Sequence, residues 1–305
     1  MRNAFAEEIT RLAGEDEKVV LLSGDIGNRL FDQYKEAAPE RFYNCGVAEA
    51  NMIGMAAGLA MNGFRPVCYT IAPFITYRCM EQIRIDLCYH DQPVVVVGTG
   101  SGLAYASLGT THHSCEEMGM LRLLPGMTVL APADALEVRA LLKASLRHDG
   151  PVYMRIGKKN EPLVHDEEPV LEIGRAVTLR EGKGVCLLNT GTTLPRVLEA
   201  SDLLKAEGVE AEVLHFPTVK PLDIDALERA AENCGLFVTV EEHSVLGGFG
   251  GSVAEWLGGR LDKRPRLERV GAADEFIHET CEQETAMEKF GLTGRAIAER
   301  VKAAV

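Results

Sequence analysis

The sequence is poor in aromatic residues and has no long apolar run, and each deficit excludes a class of protein. Phe, Trp and Tyr make up 6% of the 305 residues, with a single Trp. No run approaches the roughly 18 to 20 apolar residues of a membrane-spanning helix, so no membrane span is predicted. Lys and Arg number 32 against 45 Asp and Glu. This acidic balance argues against sequence-independent binding to nucleic acid, which needs a basic surface.

Disulfides, secretion and metal binding are not predicted either. The eight cysteines are scattered and include no CxxC pair, and reduced cysteines in apolar runs behave as small hydrophobic residues. The first eight residues contain two acids where a signal peptide has its apolar stretch. These features predict a cytoplasmic protein. No Cys or carboxylate lies at recognisable ligand spacing from the adjacent His112 and His113, so no metal site is predicted.

Strand-like and helix-like segments alternate along the chain, which is typical of a layered α/β protein. Fully apolar runs such as Val94–Val97 are typical of parallel strands buried on both faces. A polar, proline-containing stretch at 157–175 without periodicity separates two such regions. We therefore predict two layered α/β domains with mostly parallel sheets, at residues 1–160 and 175–305. The glycines at 246–252 lack GxGxxG spacing and predict a turn, not a nucleotide site.

The segment that starts at Glu49 contains the first candidate catalytic residue. From Glu49 to Phe64, Glu49 is the only acidic or basic residue, and the remainder is rich in Ala, Gly and Met. A helix of such small residues packs closely against its neighbours. Two interpretations stay open. The carboxylate stabilises the helix N-terminus, or it is a buried acid that holds a proton for a ligand nitrogen.

Two further segments contain candidate ligand-binding residues. Phe74 and Tyr77 lie where a predicted strand leads into a predicted helix over 77–89. Such aromatics usually pack in the core, but these junctions in open α/β sheets also bind ligands, and the rings could face a flat heterocycle. Residues 92–115 contain no Asp, Glu, Lys or Arg, and their pattern predicts a strand followed by a long loop that ends in His112 and His113. Long loops are often functional, and histidine is suited to proton transfer or hydrogen bonding.

In this order the segments resemble the C-terminal half of transketolase and its relatives. Those are thiamine-diphosphate enzymes with a pyrimidine-binding domain followed by a C-terminal domain. The resemblance covers nearly the whole chain, and five segments support it: Leu22-Ser23-Gly24-Asp25, Gly46-Val47-Ala48-Glu49-Ala50-Asn51, Phe74 with Tyr77, Thr111-His112, and Val238-Thr239-Val240-Glu241-Glu242-His243 with the glycine turn that follows.

The resemblance implies a role for each candidate. Four residues are implied in binding thiamine diphosphate: Glu49, Phe74, Tyr77 and Asp25. Glu49 is also implied as catalytic, because an acid hydrogen-bonded to N1′ of the cofactor favours its imino tautomer. His112, the second catalytic residue, faces the substrate with His113 beside it. Arg155 matches a family arginine that binds the anionic end of the substrate; an ordinary surface charge is the alternative.

One family signature is missing from this sequence. Family members bind the diphosphate and its divalent ion in a separate N-terminal domain with a Gly-Asp-Gly…Asn signature, whereas Gly24-Asp25 is followed here by Ile26. We therefore expect one subunit of a split transketolase-like enzyme, active only with an N-terminal subunit. That partner is expected to bind the diphosphate and to provide most of the contacts to Mg²⁺ or Ca²⁺. The expected assembly is a heterotetramer of two plus two, with this chain self-associating as a dimer.

Three positions depart from the family's substrate contacts. Leu108 replaces an acid that contacts a sugar hydroxyl, Gly100 leaves room where transketolases have a further histidine, and Ile71 replaces a phenylalanine. The expected reaction is therefore transfer of a two-carbon ketol unit between sugar phosphates or modified sugars. Two alternatives stay open: the beta chain of a 2-oxo-acid dehydrogenase first component, and a non-catalytic interaction subunit. Analysis of the reaction products distinguishes the dehydrogenase alternative from ketol transfer. Retention of Glu49 and His112 argues against a non-catalytic subunit.

Overall fold

The computed structural model describes residues 1–158, 161–261 and 264–305. The strands alternate with helices along the chain, as the sequence pattern predicts. In the described residues they are β1 Val19–Ser23, β2 Phe42–Asn44, β3 Arg65–Ile71, β4 Val95–Thr99, β5 Thr128–Leu130, β6 Val152–Ile156, β7 Val177–Arg180, β8 Gly184–Asn189, β9 Glu212–His215, β10 Thr218–Lys220, β11 Cys234–Ser244 and β12 Arg266–Ala272.

These strands form two sheets. The first has the order β10-β5-β6-β4-β3-β1-β2, and the second has the order β12-β11-β8-β9-β7. Every neighbouring pair is parallel except β10 with β5 and β7 with β9, which are antiparallel. The predicted fold class, two layered α/β units with mostly parallel sheets, is confirmed. β10 lies beyond the predicted domain boundary yet extends the first sheet.

Helices cover the faces of both sheets. The α-helices in the described residues are α1 Arg2–Glu15, α2 Asp32–Ala37, α3 Glu49–Met61, α4 Ala72–Thr76, α5 Met80–Gln82, α6 Glu117–Arg122, α7 Ala135–Leu146, α8 Leu194–Ala206, α9 Ile224–Asn233, α10 Phe249–Gly259, α11 Gln283–Lys289 and α12 Gly294–Ala304. The helix predicted over 77–89 is not one regular helix. It comprises a 3₁₀ turn at Tyr77–Cys79, then α5, then a π-helical stretch at Ile83–Tyr89. Within the described ranges, no helix is long and apolar enough to cross a membrane.

Apolar packing joins the two sheets. A single buried cluster runs from Leu22 and Met52 in the first region, through Met118, to Phe216 and Phe249 in the second. Because large apolar side chains from both regions pack together, water is excluded from the junction between them, and burial stabilises the two regions as one body. The predicted boundary near 157–175 stays a prediction about sequence organisation.

Buried polar contacts also join the two regions. Glu242 on β11 accepts a hydrogen bond from the Leu103 backbone N–H at 2.7 Å. Glu137 on α7 lies 3.0 Å from Nε2 of His215 and 2.8 Å from Nε2 of His165. Burial alone would raise the pKa of Glu137, but the His215 charge and the hydrogen bonds from the imidazoles hold it well below its usual range. These contacts orient the second sheet against the loops of the first.

Candidate active site

The candidate residues lie at the carboxyl ends of the strands in the first sheet. Asp25 follows β1, Phe74 follows β3, and Gly100 follows β4, while β2 leads to Glu49 at the start of α3. Ligands in open α/β sheets bind outside the carboxyl ends of the strands. The fold therefore collects residues from four loops at the edge where a ligand is expected.

Glu49 is buried at the first position of α3, with 4% of its surface exposed. The buried face of this helix consists of Met52, Ile53 and alanines, so the carboxylate has mostly apolar neighbours. Its polar side-chain partner is Arg78, whose Nη1 lies 3.4 Å from Oε2. The position satisfies both sequence interpretations, because an acid here is favoured by the helix dipole and is also withdrawn from water.

Phe74 and Arg78 form the next part of the site. Phe74 is half-buried in α4, and Arg78 follows in the 3₁₀ turn. The guanidinium carbon of Arg78 lies 4.1 Å from the centroid of the Phe74 ring. One guanidinium therefore stacks on Phe74 and pairs with Glu49. The sequence analysis assigned no role to Arg78, because an arginine at a helix start is usually a solvated charge.

His112, at the end of a 3₁₀ turn, also contacts Phe74. Its ring centroid is 5.1 Å from that of Phe74, edge to face, and its Nδ1 is 3.0 Å from Oγ1 of Thr111. Partial burial, with the nearby His113 and Arg78, lowers the pKa of His112 below its usual value. The imidazole is therefore neutral at pH 7 and can accept or donate a proton or hydrogen bond.

Tyr77 and His113 line a cavity of about 200 Å³ between the two regions. The Tyr77 hydroxyl donates to Oε2 of Glu116 at 2.5 Å, and burial with the charge of Glu117 raises the Tyr77 pKa well above its usual range. Nε2 of His113 is buried with no hydrogen-bond partner among the described residues, and burial lowers the His113 pKa. In the described part of the chain, neither residue makes a hydrogen bond or ring contact with Glu49.

Asp25 is exposed and has a left-handed backbone conformation, with φ of 58°, which Asp tolerates better than most residues. Its Oδ1 accepts a hydrogen bond from Nδ2 of Asn44 at 3.0 Å, and Oδ1 of Asn44 accepts from the Gly46 N–H at 3.0 Å. Asp25 therefore links the ends of β1 and β2 and holds the loop that leads to Glu49.

Arg155 at the end of β6 is buried, so the alternative that it is an ordinary surface charge is wrong. Its Nε lies 3.1 Å from Oε1 of Glu117, and its Nη2 donates to the backbone oxygens of Ser114 and Glu242 at 3.4 and 3.2 Å. Burial raises the pKa of Glu117 despite this arginine. The guanidinium thus joins both regions of the chain, and its role in binding a substrate anion stays a prediction.

Two family models match successive parts of this chain. Residues 1–162 match the transketolase pyrimidine binding domain, and residues 174–297 match the transketolase C-terminal domain. The chain belongs to the transketolase family. Apart from β10, which extends the first sheet, the strands of the two sheets belong to these two successive domains.

Individual relatives of this transketolase-family chain are subunits of divided enzymes. The 6-deoxy-6-sulfo-D-fructose transketolase subunit SqwH of Clostridium sp. (strain MSTE9) is 37% identical over 97% of this chain and 92% of that protein. One of the subunits of the apulose-4-phosphate transketolase of Phocaeicola vulgatus is 35% identical over 84% of this chain and 83% of that one. A solved split gene transketolase, an inactive beta4 tetramer, is 37% identical with a TM-score of 0.91, covering 99% of this chain and 97% of that one. The predicted likeness to one subunit of a split transketolase is confirmed.

One expectation about Gly100 is wrong. Gly100 does not leave an open space, because a Cβ atom at this residue would lie 1.8 Å from Cε2 of Tyr105. The φ of Gly100 is also +70°, which favours glycine. The Tyr105 ring fills the space and lies 6.0 Å from the His112 ring, with Nζ of Lys158 at 4.5 Å from its centroid. Sequence reasoning missed Tyr105, since only the fold brings it beside Gly100.

Proposed function

We propose that this chain supplies the pyrimidine-binding half of a transketolase active site, which a second polypeptide completes for ketol transfer. The proposal is supported by three successive side-chain contacts: Glu49 with Arg78, Arg78 with Phe74, and Phe74 with His112. These contacts bring together a buried carboxylate, an aromatic ring and an imidazole. These are the groups needed to hold a flat nitrogen heterocycle next to a substrate that exchanges protons.

The residues present fit the pyrimidine part of thiamine diphosphate. When bound, this cofactor supplies a thiazolium carbon that its own 4′-imino group deprotonates. Glu49 would hold a proton at N1′, where its apolar surroundings strengthen the hydrogen bond. Phe74 offers a ring face for stacking, and Asp25 holds the loop before Glu49. His112 would donate or accept a proton at a substrate oxygen.

Other residues are proposed to act around this centre. Tyr77 would border the cofactor site from the cavity between the domains, and His113 and Arg155 would contribute to substrate binding. For Arg155 this requires that the guanidinium keep Glu117 as a partner while its remaining N–H groups meet an anion, since the group has five donors in total.

The other half of the active site is proposed to come from an N-terminal subunit that binds the diphosphate and Mg²⁺ or Ca²⁺. Exposed apolar residues shortly before Glu49 in the chain support self-association: Val47 is 72% exposed and Tyr43 42% exposed, and exposed apolar patches are typical of interfaces. We propose a dimer at this surface within a two-plus-two heterotetramer. The eight cysteines are free thiols, which supports a reducing, cytoplasmic setting.

The isolated chain is expected to be inactive and to bind thiamine diphosphate only weakly. The physical reason is that the diphosphate accounts for most of the cofactor's charge, and its binding domain is proposed to lie on the other subunit. Calorimetric titration of the chain, of the N-terminal subunit and of their mixture measures this directly, together with ketol-transfer and decarboxylation assays. Micromolar cofactor binding or turnover by the chain alone would contradict the proposal. Decarboxylation of a 2-oxo acid by the mixture would point to the dehydrogenase alternative.

The substrate is expected to be a modified ketose rather than xylulose 5-phosphate. Leu108, which is half exposed, and Gly100 provide no polar side chain toward a sugar hydroxyl, and Tyr105 adds an aromatic surface instead. A site that hydrogen-bonds a hydroxyl rejects analogues lacking it, whereas a site without those groups cannot. Two relatives are named for apulose 4-phosphate and for a sulfofructose, which supports this proposal.

The measurement is kcat/KM of the reconstituted pair for deoxygenated, branched and sulfonated ketoses, compared with xylulose 5-phosphate and ribose 5-phosphate as the standard pair. A Leu108→Asp variant serves as the matched test, since it restores the family's acid. It should shift the preference back toward xylulose 5-phosphate. A wild-type enzyme for which the standard pair is clearly best would contradict the inference from these positions.

A further inference from the structure

The guanidinium of Arg78 occupies the space between the carboxylate of Glu49 and the ring of Phe74. It touches both groups at once, at 3.4 Å from Oε2 and 4.1 Å from the ring centroid. A guanidinium is flat, cationic and rich in N–H donors, and it stacks on aromatic rings. It therefore makes the two contacts, a stack and a hydrogen bond to the carboxylate, that a heterocycle held by the same two residues has to make.

We propose that Arg78 fills the pyrimidine site of the cofactor-free chain and is displaced when the pyrimidine ring binds. This inference rests on the proposed function, because it takes Glu49 and Phe74 as the residues that hold the ring. The two occupants exclude each other, since one carboxylate and one ring face cannot serve both. Arg78 thus competes with the cofactor from within the chain.

The surroundings of Arg78 allow this exchange. Glu49 is buried, and a buried carboxylate without a partner is unfavourable, so the guanidinium beside it stabilises the charged carboxylate. Half of the Arg78 side chain is exposed, so it can move into water without disturbing the core. Its long contacts with Glu49, 3.4 and 3.5 Å, are weaker than a close bidentate pair. The Arg78 guanidinium is therefore held beside Glu49 but can be displaced by the pyrimidine ring.

The first test measures binding of 4-amino-2-methylpyrimidine to the full chain by NMR titration. Arg78→Ala should bind this ring about tenfold more tightly than wild type, because an exposed cation–π contact and a half-exposed ion pair together amount to about one factor of ten. Arg78→Lys, which keeps the charge but not the flat group, should be intermediate. Arg84→Ala is the matched control, since Arg84 is exposed in the nearby π-helical stretch, and it should bind like wild type.

The second test needs no ligand. In wild type, the Arg78 side-chain protons should be shifted upfield by the Phe74 ring, and the shift should disappear in Phe74→Leu and on saturation with the pyrimidine. Absence of this shift in the free wild-type chain overturns the inference. Equal or weaker pyrimidine binding by Arg78→Ala, with wild-type binding intact, also overturns it but leaves the proposed function standing. If no variant binds the ring even with the N-terminal subunit present, the proposed function fails as well.

Discussion

A Glu49→Gln enzyme, assayed with its N-terminal subunit, is expected to lose at least about a hundredfold in turnover, the usual range for loss of a proton-transferring group. Gln keeps the length and hydrogen-bonding shape of the side chain but has no acidic proton to hold at a ring nitrogen. The residue is buried among apolar neighbours, so water cannot readily replace the lost acid. Steady-state kinetics of the reconstituted pair measures the effect.

Folding of Glu49→Gln should hardly change, because Gln fills the same volume and its amide oxygen can still accept from Arg78. Thermal unfolding of the isolated chain checks this point. Glu81→Gln is the matched control, an exposed glutamate near the same site, and it should keep full turnover. Near-normal turnover of Glu49→Gln would leave Glu49 with only its favourable interaction with the helix N-terminus.

The buried strands of the first sheet can be predicted from the sequence, whereas its edge strand β10 cannot. The apolar run Val94–Val97 predicts a doubly buried strand, and β4 covers Val95–Thr99. β10 is only three residues long, and its pairing with β5 spans two domains, so local patterning contains no signal for it. The π-helical stretch at Ile83–Tyr89 likewise depends on packing rather than on the residues themselves.

The candidate site was predictable where a motif defines it and hidden where side chains meet across the fold. The motifs around Glu49, Phe74 and His112 indicate one site, and the structure places Phe74 in contact with both Arg78 and His112. The contact between Arg78 and Glu49 arises only when two separate segments converge, and the Tyr105 ring lies beside Gly100 only because of the way their shared loop folds. A strand-end arginine such as Arg155 has the same local pattern whether it faces a ligand or a buried acid.

Replacing Arg155 with Met is expected to destabilise the chain by about 3 kcal/mol or more, the range measured when one partner of a buried ion pair is removed. Glu117 has no exposed surface, and Arg155 is its ion-pair partner at 3.1 Å. The substitution also removes the donors to the backbone oxygens of Ser114 and Glu242. Urea unfolding of the isolated chain at pH 7 measures the change in free energy of unfolding.

Two companion variants identify the cause of that loss. Arg155→Met combined with Glu117→Gln should recover part of the stability, because no uncompensated charge remains buried and contacting pairs are not additive. Lys302→Met breaks an exposed ion pair with Glu207 and should cost at most about 1 kcal/mol. If Arg155→Met leaves stability unchanged, the proposed role of Arg155 at the junction is wrong. A raised KM for an anionic ketose in the reconstituted enzyme tests the second role separately, because the guanidinium can pair with Glu117 and still offer its remaining N–H groups to an anion.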